Sequence, residues 1–337
     1  MKPFIAALVK GQDLSEGQSH EAMSAIMSGQ ATSAQIAGFL IALRLKGETV
    51  AEITGCARAM REAARGVDVG GRDVVDTCGT GGDEKGTFNV STAAAIVTAA
   101  AGVPVAKHGN RSVSSSSGSA DVLERLGVNI EAPVLVVERC IREVGIGFLF
   151  APLLHEAMKH AIKPRRELAV RTVFNILGPL TNPAPASRQV LGIFSADLVE
   201  TMAEVLRRMG AEKAMVVHSR DGMDELSVCD ESLVAEVDPD GVTVGTVDPA
   251  ELGLGPADID DLRVDGPAES ARVIKAVLDG KPGPQRDMVL LNAGAAIYVG
   301  GKAEDLKKGV DSAAQAVDSG RASQALKSLA RLSHAEQ

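Results

Sequence analysis

The sequence predicts an α/β protein in two parts: a small helical domain at the N-terminus, and a larger α/β domain with a largely parallel central sheet. Two observations predict this fold class. Residues 1 to about 66 carry helix signals and no strand signals, and after them short β-branched apolar runs alternate with alanine-rich helical stretches. Such alternation is typical of a parallel sheet with helical crossovers. A chain of 337 residues, 45% of them hydrophobic, suffices for one large and one smaller domain.

The N-terminal segment contains start and stop signals for helices. Thr32 and Ser33 are suitable N-caps, Gly47 is a suitable end, and apolar residues recur between them at helical spacing, at Ile36, Phe39, Leu40 and Leu43. Residues 49–52 have the form of a capping box, which predicts a further helix that ends near Gly66. A small helical domain follows from these signals.

Six short apolar runs are predicted to form the strands of the α/β domain, at residues 74–75, 103–106, 146–150, 190–194, 214–217 and 289–291. Residues 163–185 interrupt the alternation with four prolines and a helical stretch around residues 168–177. We expect part of this segment to pack against the helical domain. Residues 239–267, rich in Asp, Gly and Pro, are predicted to be surface connections.

Charge and cysteine content exclude several classes of protein. The chain has 35 basic and 44 acidic residues, a net charge of −9, so no overall field attracts it to nucleic acid or to a membrane. The longest apolar run near the N-terminus, residues 4–9, is too short for a signal peptide core or a membrane span, and a cytoplasmic location is predicted. Four scattered cysteines without CxxC spacing indicate neither a zinc site nor a disulfide framework.

The first candidate site is the sequence DTCGTGGDEKGTFNVST at residues 76–92, where a strand leads through a glycine-rich turn into a helix over 91–101. Glycines at 79, 81 and 82 allow backbone N–H groups to approach a ligand closely, and the helix N-terminus adds donors and a positive dipole end. This pattern favours phosphate. It is neither a Walker loop nor a dinucleotide fingerprint, since Glu84 stands where the last glycine of GxGxxG belongs. The structural alternative is a tight strand-to-helix turn.

The second candidate site is KHGNRSVSSSSGSADVLERLG at residues 107–127, again directly after a predicted strand. Lys107, His108 and Arg111 place three possible cations within five residues, and the serines at 112 and 114–117 add hydroxyl donors. A second anion-binding loop is predicted, with a flexible serine-rich loop as the alternative. We assign no proton transfer to His108, because neighbouring cations disfavour its charged form.

The third candidate site is DGMDELS at residues 221–227, after a strand that is predicted to end at His218. Adjacent carboxylates at the carboxyl edge of a parallel sheet lie where α/β enzymes bind ligands. Mg²⁺ suits Asp224 and Glu225, because it usually takes one or two carboxylates together with substrate phosphates. The alternative is a solvated surface pair. Only Arg220 stands nearby in the sequence to balance these charges without a metal.

Together the motifs GTGGD…TFNVST, KHGNRSVSS…GSADVLE, NILGPLTNP and DGMDELS, in this order, resemble the anthranilate phosphoribosyltransferase family of tryptophan biosynthesis over nearly the whole chain. The resemblance implies a nucleoside phosphorylase/phosphoribosyltransferase-like fold with the active site between its domains, and a homodimer formed through the helical domain. Residues 1–66, joined by part of 163–185, would be the helical domain. Residues 70–160 and 190–337 would form the α/β domain that binds phosphoribosyl pyrophosphate.

The reaction that the resemblance implies is Mg²⁺-dependent transfer of a phosphoribosyl group to anthranilate, with Lys107 and Arg165 as catalytic residues. Anthranilate would meet Gly79, Asn110 and Arg165, and Mg²⁺ would meet Ser91, Asp224 and Glu225. Phosphoribosyl pyrophosphate would be held by Gly79, Gly82, Asp83, Thr87, Asn89, Val90, Ser91, Thr92, Lys107, His108, Gly109, Asn110, Arg111, Ser112, Val113, Ser114, Ser115 and Ser119.

Two other functions are compatible with such a fold. A pyrimidine nucleoside phosphorylase is the nearest enzymatic alternative, but its extended phosphorolysis signature is not visible in the sequence. A nucleic-acid-binding relative without transferase activity should show a basic groove and a damaged metal pair. This chain has a net charge of −9 and retains both carboxylates. We therefore expect small-molecule substrates and no nucleic-acid or membrane partner.

Overall fold

The computed structural model describes residues 1–111 and 118–336. Its N-terminal part is helical, with α1 (Lys2–Val9), α2 (Glu16–Met27), α3 (Ser33–Lys46) and α4 (Val50–Glu62). The predicted caps are confirmed: Thr32 and Gln35 form a capping box at the start of α3, Gly47 ends that helix, and Thr49 and Glu52 form the capping box of α4. Local cap chemistry therefore fixes where these helices begin.

A seven-stranded sheet forms the centre of the α/β part, in the order β3-β2-β1-β4-β5-β6-β7. The first five strands in this order are parallel and the last two pairings are antiparallel. The strands are β1 (Val75–Gly79), β2 (Val105–Gly109), β3 (Ile146–Phe150), β4 (Arg188–Gly192), β5 (Lys213–Ser219), β6 (Ser232–Val237) and β7 (Val242–Val247). Five of the six predicted strand runs are thus confirmed, as is the largely parallel sheet.

Helices cover both faces of this sheet. They are α5 (Val90–Ala100), α6 (Ser119–Arg125), α7 (Val134–Glu143), α8 (Ala151–Leu154), α9 (Lys159–Leu168), α10 (Phe174–Leu177), α11 (Val199–Arg208), α12 (Pro267–Leu278), α13 (Pro284–Val299), α14 (Leu306–Asp318) and α15 (Arg321–Ser333). Across the described ranges, none of the helices has both the length and the apolar character that a membrane crossing requires.

Three of the sequence-based expectations are wrong. Residues 289–291 lie inside α13, which is buried over most of its length, so its apolar run has no polar face to reveal a helical period. Residues 242–247, expected to be a surface connection, form the edge strand β7, most of whose residues are exposed. The helical stretch expected around 168–177 is broken, because α9 ends at Leu168 and Ala169 adopts a left-handed conformation before α10.

Two apolar cores lie on opposite faces of the sheet. On one face, α5 and α13 pack against strand residues such as Val190 and Met215. On the other face, Leu191 and Val216 belong to a core that also contains the buried side chains of α2, α3 and α4. Part of the segment 163–185, including Phe174 and Leu177, lies in this second core as well. The N-terminal helices therefore share this core with the sheet, and α4 contacts α10 and α11. The proposed domain boundaries stay a prediction.

Candidate active site

Three neighbouring parallel strands end in glycine at the same edge of the sheet. They are β2, β1 and β4, which end at Gly109, Gly79 and Gly192. The chain runs from β1 outward to β2 and β3, and then crosses back to the other side of β1 to form β4. This reversal is the topological switch point at which open α/β sheets form their ligand crevice. All three candidate sites of the sequence begin at this edge.

The glycine-rich turn after β1 is held by contacts from distant parts of the chain. The Gly81 N–H donates to Asp224 Oδ2 at 2.7 Å, and the Phe88 N–H donates to the Leu262 carbonyl at 2.9 Å. Where the turn becomes helix α5, Asn89 caps it by accepting the Thr92 N–H at 3.1 Å. The turn is therefore a fixed loop with a helix N-terminus at its end, which is the arrangement that binds phosphate groups.

The space beside Gly79 is filled by Asp224. A Cβ atom at Gly79 would lie 2.5 Å from Asp224 Oδ2, and a Cβ atom at Gly192 would overlap the Asp224 carbonyl oxygen. Glycine at these strand ends thus permits close approach, as expected, but the group that approaches Gly79 is a carboxylate of the protein. In the adjoining turn, Gly81 and Gly82 have positive φ angles of 64° and 78°, which glycine adopts without strain.

Lys107 is a buried cation on β2. Its Nζ donates to the Thr77 carbonyl at 2.6 Å and to Ser91 Oγ at 3.2 Å, so it points towards the start of α5. Burial lowers the pKa of Lys107, while the neighbouring carboxylates Asp76 and Glu225 raise it. Asp76 is fully buried and its Oδ1 accepts the His108 N–H at 3.2 Å, which connects β1 and β2 beyond their single ladder pair. Sequence reasoning missed this carboxylate, although it opens the first motif.

His108, next on the strand, points to the opposite face of the sheet. Its Nε2 lies 3.2 Å from Nε2 of His155, so one ring donates and the other accepts. Burial lowers the pKa of His108 to about 3 and that of His155 to about 4. Both rings are neutral at pH 7, in agreement with the expectation that His108 is not charged. The stated reason was wrong, however, since burial is the main cause and neighbouring cations contribute less.

Arg111 does not join Lys107 in one cation cluster. Its guanidinium donates to Asp121 Oδ1 at 2.8 Å and to Glu124 at 3.2 Å, both on α6. Asn110 is exposed, and its carbonyl accepts the Ser119 hydroxyl at 3.3 Å, which ties the start of α6 to the end of β2. The expected cluster of three cations does not form among the described residues, and Lys107 is the one of the three that points towards the start of α5. The predicted ligands Ser112, Val113, Ser114 and Ser115 lie outside the described residues.

Three further residues of the first motif occupy different environments. Val90 and Thr92 are buried in α5, and the Thr92 N–H is already used by the Asn89 cap. Thr87 is half-buried and forms an isolated antiparallel bridge with Arg263. Of this group, therefore, Thr87 has the exposure that contact with a ligand requires.

The carboxylates Asp224 and Glu225 do not lie in a solvated loop. Asp224 is 8% exposed and Glu225 is half-buried. Burial, together with the nearby Asp83, raises the pKa of Asp224 to about 8; burial and Asp224 also raise the pKa of Glu225. Arg220 does not balance them, since it pairs with Glu231 at 2.6 Å. Lys107 is the cation that acts on Glu225, so the expectation that only Arg220 stands nearby is wrong.

This arrangement fits a divalent cation that is bound jointly with substrate. Within residues 1–111 and 118–336, no group of three or more His, Cys, Asp or Glu side chains is arranged to hold a metal ion by itself. Two neighbouring carboxylates that repel each other still favour a cation between them. Mg²⁺ has the matching preference, because it takes one or two protein carboxylates and completes its coordination with phosphate oxygens and water.

Side chains that sequence reasoning missed hold the carboxylate loop in place. Asp221 accepts the Met223 N–H at 2.9 Å and the Ser227 hydroxyl at 2.6 Å. Asn292 on α13 accepts the Leu226 N–H at 3.1 Å and donates to the Leu226 carbonyl at 2.8 Å. Asp221 could have been found, since it opens the quoted motif. Asn292 could not, because it lies in the helix that was predicted to contain a strand.

Arg165 lies on α9, which packs against α3 of the helical part. Its guanidinium stands 4.8 Å above the ring of Phe174, and burial lowers its pKa. No acidic side chain pairs with Arg165 within the described ranges of the chain. A half-buried guanidinium in that state is suited to binding a carboxylate supplied by a ligand.

Comparison with known proteins agrees with this geometry. The chain matches the helical bundle domain of a glycosyl transferase family over residues 2–64, and the a/b domain of that family over residues 71–323. Fold and site thus define a two-domain glycosyl transferase. An anthranilate phosphoribosyltransferase of Trichlorobacter lovleyi is 52% identical, with 99% of this chain and 100% of that protein covered. The chain belongs to the anthranilate phosphoribosyltransferase family.

Solved structures of this family have the same architecture. The enzyme of Thermus thermophilus superposes with a TM-score of 0.93 at 47% identity, covering 98% of this chain and 99% of its own. The Saccharomyces cerevisiae enzyme, in complex with PRPP and Mg, superposes with a TM-score of 0.89 at 28% identity, covering 98% of this chain and 97% of its own. The predicted fold class and family are therefore confirmed.

Proposed function

We propose that this protein transfers the phosphoribosyl group of phosphoribosyl pyrophosphate to the amine of anthranilate, giving N-(5-phosphoribosyl)anthranilate and pyrophosphate in tryptophan biosynthesis. One observation carries the proposal. The glycine-rich turn, the buried Lys107 and the carboxylates of Asp224 and Glu225 converge at the switch point of the sheet. A phosphate-binding turn beside a carboxylate pair fits a polyphosphate substrate that is bound with a metal.

On the donor side, Lys107 and the N-terminus of α5 face the leaving group. During the reaction the amine nitrogen of anthranilate bonds to ribose C1 and loses a proton to water. The bond between C1 and a pyrophosphate oxygen breaks, and negative charge builds on the pyrophosphate. Lys107, held by Thr77 and Ser91, supplies a fixed positive charge, and the backbone N–H groups of the turn supply dipoles. Preorganised charge of this kind is the main way in which such a transition state is stabilised.

The metal belongs to the same side of the site. Mg²⁺ would be held by Asp224 and Glu225, with the Ser91 hydroxyl as a further oxygen donor, and when bound it supplies charge that stabilises the pyrophosphate. Mg in the complex of the yeast relative supports the use of Mg²⁺ by the family. In this chain Ser91 Oγ already accepts a hydrogen bond from Lys107. Mg²⁺ and the Lys107 ammonium group would therefore lie close to the same part of the substrate.

On the acceptor side, Arg165 and Asn110 would orient anthranilate. Arg165 has no acidic partner within the described ranges and would pair with the substrate carboxylate. The aromatic amine is neutral at pH 7, so it needs orientation more than a strong base. The neutral pair His108 and His155 is consistent with this, because neither ring takes up a proton near pH 7.

We further propose a homodimer formed through the helical part, acting in the cytoplasm. Val9 and Leu45 are apolar side chains that are 73% and 82% exposed, and both lie on that part of the molecule. Exposed apolar groups of this kind are common where a second subunit packs. Light scattering on the purified protein tests the dimer, and Leu45→Glu should yield monomers.

The test of the reaction follows the fluorescence of anthranilate. We expect it to disappear only when phosphoribosyl pyrophosphate and Mg²⁺ are both present, with pyrophosphate released in equal amount. A parallel assay offers a pyrimidine nucleoside and inorganic phosphate. Release of free base in that assay, without loss of anthranilate in the first, would assign the protein to phosphorolysis and refute the proposal.

A further inference from the structure

Arg171, between α9 and α10, makes three contacts with the donor side of the site. Its Nη2 donates to the Gly82 carbonyl at 2.7 Å, in the glycine-rich turn. Its guanidinium lies 4.5 Å from the centre of the Phe194 ring, just after β4. It also approaches Glu84 Oε1 at 3.8 Å. Gly82 and Arg171 are 89 residues apart in sequence, so no local pattern would bring them together.

The backbone on both sides of this contact is in an uncommon conformation. Glu84 and Ala169 have φ angles of 60° and 51°, and across the described ranges they are the residues other than glycine with positive φ. Glu84 lies in the turn that Arg171 binds, and Ala169 lies two residues before Arg171. Such conformations are strained, and they persist where surrounding contacts determine them. The two residues with this strained conformation thus lie on either side of the contact between Arg171 and the Gly82 carbonyl.

Other residues of the glycine-rich turn are held by hydrogen bonds from elsewhere in the chain, and Arg171 holds Gly82. Gly81 is held by Asp224, and residues 86–88 are held by backbone hydrogen bonds to residues 262–264. The Gly82 carbonyl has Arg171 as its partner. A Cβ atom at Gly82 would lie only 3.2 Å from Arg171 Nη2, so the two residues are closely packed. The ring under the guanidinium is also tied to the turn, because the Phe194 N–H donates to Thr80 Oγ1 at 3.0 Å.

We propose that Arg171 is a positioning residue for the donor substrate: it holds the Gly82 carbonyl and so keeps the N–H groups of the turn aimed at phosphoribosyl pyrophosphate. This inference rests on the proposed function of the turn. Arg171 follows Arg165, the residue proposed to bind the acceptor, but the three contacts of Arg171 lie on the donor side. The effect of removing it should therefore appear in the use of the donor.

The test compares Arg171→Ala with Arg171→Lys and Arg166→Ala. For Arg171→Ala we expect the KM for phosphoribosyl pyrophosphate to rise about tenfold, because the variant loses one charge-assisted hydrogen bond. The KM for anthranilate should stay within about twofold of the wild-type value, because the change removes no contact on the acceptor side. Arg171→Lys keeps a donor for the Gly82 carbonyl but loses the planar stacking on Phe194, and it should recover part of the loss. Arg166 is exposed and precedes the bend, and its loss should leave both KM values unchanged.

Calorimetric titration of each variant with phosphoribosyl pyrophosphate and Mg²⁺, without anthranilate, measures donor binding directly, and thermal melts report folding. Equal increases in both KM values, or unchanged donor affinity in a folded Arg171→Ala protein, would overturn the inference. Wild-type protein that consumes no anthranilate would instead count against the proposed function. Its calorimetric donor affinity, compared with that of Arg171→Ala, would still test the role of Arg171.

Discussion

Gly79→Ala offers a measurement of how tightly Asp224 is packed against the end of β1. The added methyl carbon would lie 2.5 Å from Asp224 Oδ2, and ordinary van der Waals contact begins near 3.4 Å, so the carboxylate must move by about 0.9 Å. That oxygen accepts the Gly81 N–H at 2.7 Å, and a displacement of this size would break the bond. We expect a loss of about 1–3 kcal/mol in unfolding free energy.

A double-mutant cycle identifies the cause. With Asp224→Ala in the background, the obstructing carboxylate is absent, and Gly79→Ala should cost less than about 0.5 kcal/mol. Gly66→Ala is the matched control, because a Cβ atom there meets no atom within 4 Å. Denaturant unfolding supplies the free energies, and a Mg²⁺ titration of activity should show a higher half-saturating concentration for the Gly79→Ala single variant than for the wild type. Equal costs in both backgrounds would refute the reasoning, because the methyl group would then be acting on something other than Asp224.

Three other changes test the site. Replacing Asp224 with Asn and Glu225 with Gln should raise the Mg²⁺ requirement by about tenfold or more. It should not lower the melting temperature in EDTA, because the amides are uncharged, whereas burial already disfavours the charged form of both carboxyl groups. An unchanged Mg²⁺ titration would contradict the metal site. Arg165→Ala should raise the KM for anthranilate at least tenfold more than that for phosphoribosyl pyrophosphate, and equal increases would contradict the assignment. His108 and His155 stay neutral in the folded protein, because burial lowers their pKa values, but they bind protons below pH 6.5 in the unfolded chain. The free energy of unfolding should therefore fall from pH 6.5 towards pH 4, by about 2 kcal/mol per histidine at pH 5. His155→Gln should flatten that dependence in melts recorded across this range, and an unchanged slope would contradict the role of the pair.

Sequence reasoning succeeded where the determining interactions are local. The capping boxes at Thr32 and Thr49 act across three residues, and the five parallel strands stand out as short apolar runs between polar turns. It failed for residues 289–291, because a helix buried on nearly all sides shows no alternation between polar and apolar faces. It also failed for β7, whose exposed residues resemble those of a loop.

The same distinction between local and long-range interactions applies to the candidate site. The motifs that contain Lys107, Asp224 and Glu225 were recognised from short patterns, and their preference for phosphate and Mg²⁺ stays a prediction. Their burial was not, because Asp224 is enclosed by strand ends whose glycines come from remote parts of the sequence. The bond from Gly81 to Asp224 spans 143 residues. Contacts between residues so far apart in sequence depend on the order of the strands in the sheet. A single sequence does not show which distant residues that order brings together.

The glycine ends of β1, β2 and β4 also bear on how such an enzyme can change during evolution. The proposed donor site uses backbone N–H groups of the glycine-rich turn, and adding a side chain at Gly79 or Gly192 displaces the carboxylate loop. The proposed acceptor side is different, because Arg165 stands on a helix beside the exposed Ile162. We expect natural and laboratory variants of this scaffold to keep the sugar donor and to diversify in the aromatic amine that they accept.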